Sequence, residues 1–249
     1  MSRKEIGSEK SGYYNSGIMA NGVRLGYLDN LRSFALLLGI LFHVSIVYSE
    51  EIKYAIQNNE RSYILSYFCY FIHGFRMPLF FMIAGFFSAL VFERKGGFEF
   101  IKARFARVVL PMLFGLIFLS PIQYYLVQKI KKPELEVIKF VLDFFSVEKF
   151  EHSHIWFLVN LSVYSFLFYL LPKSIFKKIP GTQGKNNFSF LIFFFIISLI
   201  LLSIFHYFYP KGESFLGVSK LTFVYQLLFF FLGICSYYKN LIFEKTPSK

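Results

Sequence analysis

The chain has 249 residues, of which 55% are hydrophobic and only 17% charged, and Phe alone contributes 36. A soluble domain carries roughly 45–50% apolar and about 25% charged residues. This composition excludes a disordered chain and argues against an ordinary soluble globule. The net charge is +12, from 27 Lys and Arg against 15 Asp and Glu. The basic residues alternate with apolar runs, the pattern of a membrane protein with charged loops rather than of a nucleic-acid binder. Two cysteines, Cys69 and Cys235, exclude a disulfide scaffold and a Cys-based zinc site. Both read as small buried hydrophobes, and no metal is expected.

Residues 1–26 form a polar tail with Arg3, Lys4, Lys10 and Arg24. No small-residue cleavage site follows the first apolar run, so that run reads as a retained span that doubles as the targeting signal. A membrane helix needs about 20 mainly apolar residues. Six stretches qualify: 31–48, a segment within 63–92, 108–127, 155–171, 188–209 and 221–238. The predicted fold is an all-α integral membrane domain over 27–249, with about six spans.

The second stretch is too long for one crossing. Thirty residues at 1.5 Å each reach about 45 Å, against a hydrocarbon core of about 30 Å. The sequence His73-Gly74-Phe75-Arg76-Met77-Pro78 predicts a break there, because Pro78 disfavours a helical residue before it and Gly74 loosens the backbone. Tyr63–Ile72 then reads as an interfacial or re-entrant helix and Met77–Phe92 as the crossing. With the N-terminus inside, the inner segments hold 17 Lys and Arg against 6 acids, and the outer segments 9 against 9. The positive-inside rule therefore predicts both termini on the cytoplasmic side.

Ionisable residues inside a span usually face a cavity or a partner. Arg32 and His43 lie 11 residues apart, which is 20° after three full helical turns. They share one face, about 16 Å apart along the axis. Gly39 lies on that face and opens space beside His43. Asp29, one turn before Arg32, is placed to pair with it. A neutral, buried His43 either takes a proton from a hydroxyl or attacks an acyl group directly; the alternative is a histidine hydrogen-bonded to a neighbouring helix.

His73 and Arg76 sit near the outer end of the second stretch. They suit a polar acceptor or the anionic end of a substrate, or an arginine reaching the headgroups. Arg104 and Arg107, at i and i+3, suit bidentate phosphate recognition, or topological signalling with headgroup contact. His154 and Trp156 open the fourth stretch at the outer face, either as substrate contacts or as an aromatic-belt pair. His152 and His206 read as structural.

Taken together, these segments carry a resemblance. Tyr27-Leu28-Asp29-Asn30-Leu31-Arg32-Ser33-Phe34-Ala35, with His43 beyond it, resembles the first helix of the membrane acyltransferase 3 family. His73-Gly74-Phe75-Arg76-Met77-Pro78, continuing to Phe87, resembles its second helix, especially in the glucan-succinylating branch. Arg104-Phe105-Ala106-Arg107 followed by Pro111 resembles its cytoplasmic Arg-x-x-Arg element. His154-Ile155-Trp156-Phe157-Leu158 resembles a later motif. The four occur in the family's order over about residues 24–160.

The resemblance implies transfer of an acetyl- or succinyl-class acyl group from cytoplasmic acyl-CoA to a hydroxyl of a carbohydrate or glycan. It implies an address in the inner membrane of a bacterium. Arg104 and Arg107 would hold the phosphates of coenzyme A, Arg32 would line the donor path and His43 would be the catalytic residue. The family has more spans than the six counted here, which implies a form shortened at its C-terminus. A non-enzymatic remnant, or an assembly partner for a glycan exporter, is the competing expectation. A transporter ranks third: one span is broken, but no second break pairs with it.

Overall fold

The computed structural model describes residues 19–20, 23–24, 26–145, 155–178, 187–208, 214–215 and 218–239. Helix α1 covers Gly26–Ile46 and α2 covers Tyr63–Arg104. A π-helical turn, Phe105–Val109, leads into α3, Leu110–Phe114. A second π turn, Gly115–Leu119, leads into α4, Ser120–Lys131. Then follow α5 (Val137–Phe144), α6 (Trp156–Leu170), α7 (Ser174–Lys178), α8 (Asn187–Phe208) and α9 (Lys220–Lys239). Two minimal antiparallel pairs, Met19–Ala20 with Val23–Arg24 and Ser214–Phe215 with Val218–Ser219, are the described strands.

Among the described residues, three helical stretches are long and apolar enough to cross a membrane. They are Gly26–Ile46, the run Tyr63–Lys131 and Lys220–Lys239; Trp156–Leu170 is apolar but shorter. Such helices satisfy their backbone hydrogen bonds internally, which hydrocarbon demands. The chain is an integral membrane protein. Helices α6, α8 and α9 match the fourth, fifth and sixth predicted stretches to within two residues.

The second stretch breaks elsewhere than predicted. Helical backbone runs from Tyr63 through Pro78, and the one non-helical residue inside α2 is Gly96, at φ 80° and ψ 170°. Two reasons account for this. The carbonyl that Pro78's ring would crowd belongs to Gly74, which has no side chain and nothing packed where one would be. Pro78 is also buried, so its contacts hold the turn in place. Gly96 carries the reversal because a positive φ strains any residue with a Cβ. Tyr63–Ile72 is thus the continuation of one long helix, not a separate one. From 63 to 95 that helix reaches about 50 Å, so it projects beyond the core.

Contacts fix the relative directions. Arg32 meets Phe87 while Phe42 meets His73, so α1 and α2 are antiparallel. Phe81 meets Tyr164 and Phe92 meets Phe168, so α6 runs parallel to α2. Gly85 lies against Phe230, and the Tyr238 hydroxyl donates to Glu93 at 2.6 Å, so α9 is parallel too. The α2–α9 contact is backbone on backbone. A Cβ at Gly85 would fall 1.9 Å from the Phe230 carbonyl oxygen, and one at Gly233 would fall 1.9 Å from that of Met82. Small residues permit such an approach in membrane bundles.

The core between these helices is aromatic. Phe81, Tyr164, Phe168, Phe100 and Phe230 are each fully buried. The Tyr164 hydroxyl donates to the Phe223 carbonyl at 2.8 Å, which satisfies its polar end. Cys69 is buried and offers its thiol to the Phe42 carbonyl, and Cys235 is half-buried; both are free thiols. The segment between the third and fourth predicted stretches contains α5. Its apolar spacing seats Phe140 and Phe144 on Tyr124 of α4.

Candidate active site: two clusters along one helical seam

Four of the predicted site residues line one cavity of about 280 Å³. His43 comes from α1, His73 and Arg76 from α2, and Trp156 from the start of α6. Tyr54, from the loop between α1 and α2, also faces it. Phe42 is the hub. His73 stacks on its ring at 5.4 Å and 25°, His43 meets it edge-on at 5.2 Å, and the Arg76 guanidinium lies 4.9 Å from its centroid. His43 is exposed rather than buried as expected. Only one face of α1 packs on α2, and His43 stands at the edge of that face, on the cavity's rim.

Two serine hydroxyls help to pin the loop that carries Tyr54. Ser66 Oγ accepts the backbone N–H groups of Glu50 at 2.9 Å and Glu51 at 3.2 Å, and shares a 2.9 Å bond with Ser49 Oγ. Ser49 Oγ in turn accepts the Ile52 N–H. Burial pushes the Tyr54 phenol above its ordinary value.

Arg32, Arg104 and Arg107 gather at the other end of the α1–α2 seam. Arg104 donates through Nη2 to Ser88 Oγ at 2.7 Å, and Ser88 donates on to the Ala84 carbonyl. The Arg104 guanidinium lies 5.3 Å from the Phe100 centroid, and Arg32 lies 5.0 Å from that of Phe87. Arg32 and Arg107 are both near enough to repel Arg104, and Asp29 attracts Arg32 as the helical spacing predicts. Arg32 and Arg107 are exposed while Arg104 is half-buried. Three guanidiniums from three segments thus converge where a polyanion would be favoured.

His154 lies outside the described residues, as does His152. Sequence reasoning missed Phe42, Ser88 and Tyr54. A lone serine in an apolar span was the available signal for Ser88; the other two become visible only once α1, α2 and their loop are packed. Among the described residues no group of three or more His, Cys, Asp or Glu is placed to hold a metal ion.

Comparison with known proteins settles the ancestry. A family model described as "Acyltransferase domain" matches residues 25–248. The chain belongs to that acyltransferase family. It is also 34% identical over 163 residues to "Glucans biosynthesis protein C" of Escherichia coli strain K12, over 65% of this chain and 42% of that protein. The same figures hold for the proteins of that name from Escherichia coli O6:K15:H31 and O1:K1. The aligned region therefore spans less than half the length of these relatives. No solved structure matches the chain.

Proposed function

We propose that this acyltransferase-family chain acts as a membrane-embedded O-acyltransferase. It takes an acyl group from cytoplasmic acyl-CoA and delivers it to a hydroxyl of a carbohydrate or glycan at the outer face. The observation that carries this reading is the division of the α1–α2 seam. Arginines 32, 104 and 107 cluster at one end, and the cavity with His43, His73, Arg76 and Trp156 lies at the other. Arg32 and His43 share a helix face about 16 Å apart. A donor whose phosphates rest on the arginines would extend along the seam toward His43.

In this reading the chain crosses the inner membrane of a bacterium six times, with both termini cytoplasmic. The antiparallel α1–α2 pair and the parallel α2, α6 and α9 agree with that alternation. It also places the arginine cluster inside, where anionic donors are made, and the cavity toward the outside. The name of the E. coli relatives, which refers to glucans, supports a glucan as the acceptor class.

The test uses the full chain in lipid vesicles with labelled acyl-CoA. His43→Ala should abolish transfer while the protein still inserts. Arg104→Ala/Arg107→Ala should abolish saturable acyl-CoA binding. Full turnover in the first variant, or unchanged binding in the second, refutes the roles assigned here.

A further inference from the structure

The outer cavity contains a cation that no carboxylate among the described residues neutralises. Arg76 is wedged in place by its neighbours. Its guanidinium lies over Phe42, and its Nη2 has the Met77 thioether, a weak acceptor, at 3.7 Å. Its Nε is buried with no hydrogen-bond partner among the described residues. The backbone of α1 is open at that level because residue 39 is glycine: a Cβ there would fall 2.8 Å from Arg76 Nη1. Gly39 is one turn before His43, about 6 Å along the axis. A charge at membrane depth is costly when unpaired, and a buried donor without an acceptor adds to that cost. The guanidinium is held ready for an anion that the described residues do not supply.

We propose that Arg76 stabilises the oxyanion that forms during acyl transfer, as a catalytic residue alongside His43; this rests on the acyltransferase reading above. The acceptor hydroxyl oxygen bonds to the thioester carbonyl carbon while His43 takes the hydroxyl proton. The carbonyl π pair moves onto its oxygen, and the N–H groups of Arg76 donate to that oxyanion. When the pair returns, the C–S bond breaks and the leaving thiolate takes the proton back from the imidazolium. Donors fixed where charge develops, in a water-poor site, favour the transition state over the ground state. The cation–π seat on Phe42 and the gap at Gly39 provide the fixing.

The experiment reads free-thiol release by the full chain in vesicles, with a soluble glucan oligosaccharide as acceptor and acetyl-CoA or succinyl-CoA as donor. Arg76→Gln should lower kcat by about 10²–10³-fold with both donors, the usual effect of losing one oxyanion donor. KM should stay within about threefold, and acetyl-CoA binding measured at equilibrium should be unchanged, which also reports folding. Arg76→Lys should retain part of the rate, since it keeps the charge but loses the fork, and it supplies the comparison if the Gln variant does not insert. Gly39→Ala removes no functional group, yet it should lower kcat about tenfold by displacing the guanidinium, the scale of a misplaced catalytic group.

A kcat for Arg76→Gln within threefold of the unaltered protein overturns the proposal. So does a defect confined to the KM for succinyl-CoA, which would make Arg76 a site for the substrate's own carboxylate. An absence of thiol release by the unaltered protein overturns the acyltransferase reading itself, and this role with it.

Discussion

Replacing Gly85 by Ala tests whether α9 is seated on α2 as described. The added Cβ would fall 1.9 Å from the Phe230 carbonyl oxygen, whereas real Cβ contacts essentially never come below 3.0 Å. The two backbones must therefore separate by about 1 Å at this level. A radial gap of about 0.5–1 Å forfeits a quarter to a half of each dispersion contact. Overpacking of a core costs about 1–3 kcal/mol. Here the obstacle is backbone on both sides, which no rotamer change relieves, so the upper end, about 3 kcal/mol, is expected.

Gly233→Ala meets Met82 in the same seam and should cost a similar amount. Because either substitution already opens the contact, the double variant should lose less than the sum. Gly74→Ala is the control. Nothing lies within 4 Å of its Cβ, so the helix should gain about 0.5–1 kcal/mol from the lower entropy cost. The assay is denaturant unfolding in detergent micelles, followed by the fluorescence of the chain's single Trp, Trp156. Equal midpoints for Gly85→Ala and the unaltered chain would refute the α2–α9 packing.

Ser66→Ala should leave two backbone N–H groups without their acceptor, at a cost of about 1–3 kcal/mol; limited proteolysis between residues 50 and 60 should accelerate, and an unchanged rate counts against the pinned loop. Ser88→Ala should weaken acyl-CoA binding about 3- to 10-fold by freeing Arg104 from its 2.7 Å anchor, equivalent to about 1 kcal/mol for one hydrogen bond, and equilibrium binding checks it. Lys173 caps the end of α6 by donating to the Phe168, Tyr169 and Leu171 carbonyls, and burial pulls it down to about 8 although Glu93 pulls the other way. An unfolded lysine keeps its proton to about 10.4. Between those values the unfolded chain binds more protons, so stability should rise with pH. Lys173→Gln should flatten that slope; equal slopes from pH 7.5 to 9.5 would remove Lys173 as its source.

The sequence determined a good deal. Apolar run length located α6, α8 and α9, because a hydrocarbon slab sets the length of a helix directly. The 100° rotation per residue placed Arg32 and His43 on one face, and the packed α1 leaves both exposed, beside the face that buries Leu28, Ala35 and Phe42. Residue chemistry was sufficient to nominate His43, His73, Arg76 and Trp156, since costly polar groups in an apolar run need a reason to be there.

Only the tertiary structure decided the rest. Whether Pro78 breaks its helix depended on the glycine one turn earlier and on the buried surroundings of the ring. The reversal fell to Gly96, whose positive φ is not marked by any apolar period. Phe42 became the support for three polar side chains, and Ser88 the anchor of Arg104, through contacts between residues far apart in the chain. The net charge of +12, first a sign of membrane topology, gained a spatial division. Three arginines converge at one end of a seam, and at the other the Arg76 guanidinium has no carboxylate beside it among the described residues. Periodicity reports which way a side chain points from its own helix; what it meets there is set by how the helices pack.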